Sequence, residues 1–150
     1  MQKNNDELIN LTLNYAFDHG VKSQQVTNFT PYMPSFTDTK TETIMINMNW
    51  HDPEQLPFQI AHETSHVLNG DKSNQPLYFP TATSKSKIEV AASSRAISIL
   101  IPYYCKERTE EYADPLQFLN IFKIPGHLYE IVETKMHEYY GLIYPQDEEQ

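Results

Sequence analysis

The run Ile60-Ala61-His62-Glu63-Thr64-Ser65-His66-Val67-Leu68 constrains this chain more than any other stretch. It embeds an HExxH pattern in an apolar, helix-competent segment that Asn69-Gly70 is suited to stop. A helix advances about 100° per residue, so His62 and His66 fall about 40° apart and one turn along, near enough to bind one metal ion. Glu63 flanks the same side. Two neutral imidazoles are a good donor set for zinc, and a carboxylate beside the metal can take a proton from an attacking water. The pattern therefore predicts Zn2+ as cofactor, His62 and His66 as ligands and Glu63 as the catalytic base. The competing reading is a pair of partly buried histidines that hold no metal.

A tetrahedral catalytic zinc needs one more protein donor, and Glu89 is the candidate. Glu89, Ala92, Ser93, Ala96, Ile99 and Leu100 share one face of a helix expected from Ser86 to near Leu100, where Pro102 should end it. Small residues beside the glutamate would let that helix approach the motif helix closely. The same sequence, Ser86-Lys87-Ile88-Glu89, is also a capping box, in which the glutamate would merely satisfy the helix start. Asp71, just past the glycine, suits a turn or a contact behind the metal ligands better than a place among them. His51, His127 and His137 are isolated in sequence and carry no metal argument.

The chain has 150 residues and a mass of 17.5 kDa, enough for one good core, and is expected to form a single domain over 1–150. Its formal net charge is −9, a field that repels phosphates, so nucleic acid is not an expected ligand. The N-terminal residues lack an apolar signal core, and no stretch approaches the roughly 18 apolar residues of a membrane span. Cys105 is the sole cysteine, which rules out an internal disulfide and fits a reducing compartment; the expected location is the cytoplasm. Lys85 and Lys87 form the most basic cluster, and 144–150 reads as an acidic tail.

Elsewhere, the pattern predicts an amphipathic helix over 6–19 with Leu8, Leu11 and Tyr15 inward, a short strand over 26–30, and a strand over 41–50 with Ile44, Ile46 and Met48 on one face. The motif helix is expected over 58–69. Leu77-Tyr78-Phe79 is expected to plug back onto the core. Asp114-Pro115-Leu116-Gln117 reads as an N-cap, a proline at the first helical position and a capping partner, opening a helix that ends near Phe122; another starts near Gly126. The fold class is α+β.

This assembly resembles the ImmA/IrrE family of zincin-like metallopeptidases. The resemblance rests on Ile44-Met45-Ile46-Asn47, Phe58-Gln59-Ile60-Ala61, His62-Glu63-Thr64-Ser65-His66, Glu89-Val90-Ala91-Ala92 and Ile99-Leu100-Ile101-Pro102, in the family's order over roughly the middle 60 residues. It implies a small, mostly antiparallel sheet packed on an HExxH helix and a Glu-bearing helix, with zinc held by His62, His66 and Glu89 and Glu63 as general base. It also implies a helix-turn-helix-like ending at 114–143, whose expected role here is packing because it carries little positive charge. Thr64-Ser65 stands where the family often has Leu-Gly, and Glu54-Gln55-Leu56-Pro57 where it often has basic residues. No separate N-terminal DNA-binding domain fits in the chain.

The implied activity is hydrolysis of a peptide bond in a protein, plausibly a helix-turn-helix repressor of a phage or mobile element. An antirepressor that holds its regulator without cutting it, through a dormant metal site, is the alternative. An extended substrate is expected to pair with the edge of the strand around 44–49. Tyr103, Tyr104, His51 and His127 are candidates for stabilising an oxyanion, with nothing in the sequence to choose among them.

Overall fold

The computed structural model describes residues 2–80 and 86–143, with only the backbone at 142 and 143. Lys85 and the 144–150 tail lie outside the described residues. The first helix, α1 (Asn5–Asp18), opens on a capping box between Asn4 and Glu7 and closes at Gly20, whose φ of +78° is the left-handed turn a glycine adopts without strain. Leu8, Ile9, Thr12 and Ala16 form its buried face, while Leu11 and Tyr15 are half-buried. Thr12 fits inside because its hydroxyl donates back to the carbonyls of Leu8 and Ile9, each at 2.9 Å.

The sheet contains β1 (Lys22–Val26), β2 (Phe36–Asp38), β3 (Thr43–Asn47) and β4 (Leu77–Tyr78), in the order β1-β3-β2-β4. β1 runs parallel to β3, whereas β2 is antiparallel to both β3 and β4. The sheet is thus mixed, with two of its three pairings antiparallel. The strand expected over 26–30 lies earlier, at 22–26, where pairing with β3 organises a stretch with little apolar alternation. β3 is central, so both its edges are taken and an added peptide cannot pair there. The edges are β1 and β4. Leu77 and Tyr78 enter the sheet as a strand rather than plugging a core, and Phe79 continues from them against Phe58, with ring centroids 5.6 Å apart.

α2 (Leu56–Leu68) carries the HExxH run and starts two residues earlier than its pattern suggests, because Pro57 is accommodated in the first turn. Every residue from Leu56 to His66 is buried. The helix is sandwiched: Leu56 and Ile60 pack with Ile44, Ile46 and Trp50 on the sheet side, and Phe58 and Ala61 join the cluster built around the next helix. A helix covered on every side has no use for a polar stripe, which accounts for its composition.

That next helix, α3 (Lys87–Cys105), runs through Pro102 instead of stopping before it. Proline forfeits one backbone hydrogen bond, but Ile101, Tyr104 and Cys105 around it are buried, and tertiary packing holds the last turn. Asp114 caps α4 (Pro115–Phe122) by accepting from the Leu116 amide at 2.9 Å. Gln117 is not a capping partner: its Oε1 accepts from the Tyr104 hydroxyl at 2.5 Å. α5 (Tyr129–Ile143) follows a single 3-10 turn at Gly126–Leu128. Phe118, Phe122, Leu128, Val132, Met136 and Tyr140 of this ending pack on Ala96, Ile97, Leu100 and Tyr104 of α3, the packing role expected of it.

Candidate metal centre

Small side chains at Ala92, Ser93 and Ala96 line the buried face of α3 and bring it against α2. Glu89, one turn before Ser93 on that face, thereby reaches the two imidazoles. Its Oε1 lies 2.8 Å from His62 Nε2 and 3.2 Å from His66 Nε2. One donor atom from each of the three residues falls within 4.8 Å of the others. Ser86 still caps α3 by accepting from the Glu89 amide at 3.3 Å. The Glu89 backbone serves the cap, and its carboxylate serves the histidines.

The far nitrogen of each imidazole is also held. His62 Nδ1 lies 3.1 Å from Ser93 Oγ, and His66 Nδ1 lies 2.9 Å from Asp71 Oδ2. Asp71 therefore stands behind His66, as its position after the helix suggests. Both Nε2 atoms are left facing the same point, the arrangement a metal ion requires of its histidines. The spacing suits the task, since ligand atoms of a tetrahedral zinc with bonds of about 2.0–2.1 Å lie about 3.3 Å apart.

Glu63 is completely buried, and Thr37 of β2 holds it. The Thr37 hydroxyl lies 2.6 Å from Glu63 Oε1 and 3.2 Å from the Glu63 carbonyl. Glu63 Oε2 has no hydrogen-bond partner among the described residues. A buried carboxylate oxygen without a donor is costly, and a metal site that brings a water beside it would relieve the cost. The donor set, its spacing and this orphaned oxygen all fit a zinc ion.

Electrostatics follow from burial. Burial drives the His62 imidazole below its ordinary range, against the opposing pull of Glu89. It also pushes the Glu63 carboxyl up to about 8, with His66 and Thr37 countering only in part. At His66, burial is outweighed by the Glu89 hydrogen bond, the Glu63 charge and the Asp71 contact, and the imidazole rises to about 9. At Glu89, burial is overcome by the two imidazole contacts, which hold the carboxyl down to about 2. The side chains alone thus keep a proton on His66 and an anion on Glu89.

The remaining candidates separate cleanly. His51 Nδ1 lies 3.1 Å from the Pro31 carbonyl, and its ring stacks on Tyr32; exposed His137 pairs with Glu110 at 3.2 Å. Tyr103 donates to the Leu11 carbonyl at 3.4 Å, and the Tyr104 hydroxyl is occupied by Gln117 and the Asp114 amide. Of the four oxyanion candidates, His127 alone lines the cleft that Glu89 borders. Sequence reasoning missed Thr37 and Phe79, whose ring centroid lies 5.1 Å from that of His62. Thr37 sits in a three-residue strand, too short to show periodicity, so no sequence signal marked it.

Among the described residues no helix is long and apolar enough to cross a membrane. No curated protein and no solved structure matches the chain significantly. A family match does cover residues 16–114, which takes in the sheet, α2 and α3 with all four residues of the candidate site. The family is the IrrE N-terminal-like domain family (Peptidase_M78), in agreement with the ImmA/IrrE resemblance of the sequence and with a metallopeptidase type of function. This chain belongs to the IrrE N-terminal-like domain family of peptidases.

Proposed function

We propose that this protein is a zinc-dependent endopeptidase in which His62, His66 and Glu89 hold the metal and Glu63 is the general base. The observation that carries this reading is the convergence of three buried or half-buried donor groups beside the unpartnered Oε2 of Glu63. Bound zinc would supply Lewis-acid polarisation of the scissile carbonyl and acidify the attacking water.

The protein's own groups do the rest. Ser93 and Asp71 fix the ring orientations of His62 and His66, so that both Nε2 lone pairs converge. Thr37 occupies Glu63 Oε1 and leaves Oε2 to take the proton of the attacking water and deliver it to the departing nitrogen. A pKa raised by burial makes Glu63 a stronger proton acceptor than an exposed glutamate. The substrate we propose is a cytoplasmic helix-turn-helix repressor of a phage or mobile element, whose cleavage would release transcription.

Metal analysis of the purified protein, followed by incubation with candidate helix-turn-helix repressors, tests the reading. Cleavage by the parent and none by Glu63→Gln is the expected result. Inactivation of a repressor by both proteins without cleavage would establish an antirepressor instead, and a parent that takes up no metal would refute the zinc site.

A further inference from the structure

A small cleft opens directly beside Glu89. Its apolar wall is made by Phe58, Phe79, Pro80, Val90, Pro125 and Leu128, drawn from α2, the residues after β4, the first turn of α3 and the approach to α5. Three polar residues complete the described lining, and two are already engaged. Glu89 is bound by both imidazoles, and Ser93 Oγ by His62 Nδ1. The third, His127, is exposed. Among the described residues no lysine or arginine lines the cleft.

From this we infer that the cleft is the specificity pocket of the peptidase and takes an apolar side chain from the residue next to the scissile bond. The inference rests on the proposed zinc site. Its physical basis is continuity, because Glu89 is at once a proposed ligand and part of the cleft lining; a peptide poised at the metal sets a neighbouring side chain against Phe58, Phe79 and Val90. An apolar side chain there loses its water against a matching wall. A charged side chain loses its water against the same wall, where the Glu89 carboxylate is already committed to the metal.

The test uses binding and needs no known substrate. N-acetyl-amino-acid hydroxamates carrying leucine, phenylalanine, alanine, glutamate or lysine side chains are titrated calorimetrically into the zinc-loaded protein, with acetohydroxamate as the reference that engages the metal alone. The leucine and phenylalanine compounds should bind about tenfold more tightly than the alanine compound, and the charged ones no better than alanine. Val90→Phe, which fills the cleft from its half-buried wall, should erase that preference and leave acetohydroxamate affinity unchanged. Equal binding of all side chains by the parent overturns the pocket while leaving the zinc site standing. So does a Val90→Phe protein that binds acetohydroxamate normally and still prefers leucine. Failure of acetohydroxamate itself to bind the parent overturns the zinc site, and the pocket falls with it.

Discussion

Asp71 holds His66 twice: its amide donates to the His66 carbonyl at 3.1 Å, and its Oδ2 meets the His66 Nδ1 at 2.9 Å. Both contacts depend on Gly70, whose φ of +75° turns the chain back over the end of α2 while its own amide donates to the Val67 carbonyl at 3.0 Å. This pair of reversed hydrogen bonds is the Schellman ending of a helix. Here the helix stop also delivers the carboxylate that orients a proposed metal ligand.

Replacing that carboxylate is expected to weaken metal binding without unfolding the protein. Asp71→Asn keeps an acceptor for the His66 Nδ1–H but removes the charge that makes the imidazole a more basic ligand, and should lower zinc affinity by about 10-fold. Competition with a chelator measures the affinity, and circular dichroism checks the fold. Gly70→Ala should add a stability loss of about 1 kcal/mol, because an alanine is strained at that φ. An unchanged zinc affinity in Asp71→Asn would show that His66 needs no such support.

Glu89→Gln separates the two uses of this residue. The cap on α3 uses the Glu89 amide, so helix content should stay close to the parent's. The unfolding temperature in the absence of metal should fall, because His66 loses its anionic partner. Zinc affinity should fall by at least about 10-fold, since an amide oxygen is a poorer zinc donor than a carboxylate. A variant that bound zinc like the parent would remove Glu89 from the ligand set.

Thr37 is expected to matter through Glu63. Thr37→Val takes away the hydroxyl 2.6 Å from Oε1 and frees the carboxylate to rotate. Peptide cleavage should slow by about 10- to 100-fold, in keeping with the loss of about 1.5–3 kcal/mol from a hydrogen bond to a charged group. Thr37→Ser keeps the hydroxyl and should restore most of the rate. Equal zinc content in all three proteins, measured alongside cleavage, confines the effect to the base.

In the metal-free protein the raised groups set a pH dependence with a definite sign. The His66 imidazole, raised from 6.5 to about 9 by its acidic neighbours, contributes stability that is complete below about 6.5 and lost as pH climbs through 9. Glu63, raised to about 8 by burial, is held neutral in the fold while it ionises in the unfolded chain, so its contribution also declines between about 4.5 and 8. Glu89 acts the other way: its depressed carboxyl contributes above about 4.5 and loses that contribution as pH falls toward 2. The unfolding temperature of metal-free protein should therefore drop by several degrees between pH 7 and pH 9, above the range where His62, buried as a neutral imidazole, acts in the opposite direction. Zinc binding should release protons and strengthen with pH over the same range, because it must displace the proton from His66. A flat unfolding profile with no proton release would contradict the His66 and Glu63 assignments together.

The local parts of this architecture were legible because each is written within a few residues. The HExxH spacing, the caps at Ser86 and Asp114, the glycine stops and the small-residue face of α3 all follow from helix geometry. Expectations failed where distant residues decide. Pro102 ends a helix by local rules, yet the buried side chains around it carry α3 on to Cys105. Gln117 fits a local cap, yet the Tyr104 hydroxyl claims it. The 41–50 strand alternates like one with a single buried face, and nothing in that alternation says that β1 and β2 flank it on both edges.

By itself, then, the sequence determined that one helix would present His62, Glu63 and His66 together, that it would be buried, and that Glu89 would sit on the close-packing face of another helix. Only the tertiary structure set the Glu89 carboxylate against the two imidazoles while its amide serves the cap, gave Thr37 its place on Glu63, and put Phe79 against His62. The reason is physical: periodicity records which way a side chain faces along its own element, whereas a contact across elements depends on how the sheet orders its strands and how closely two helices pack.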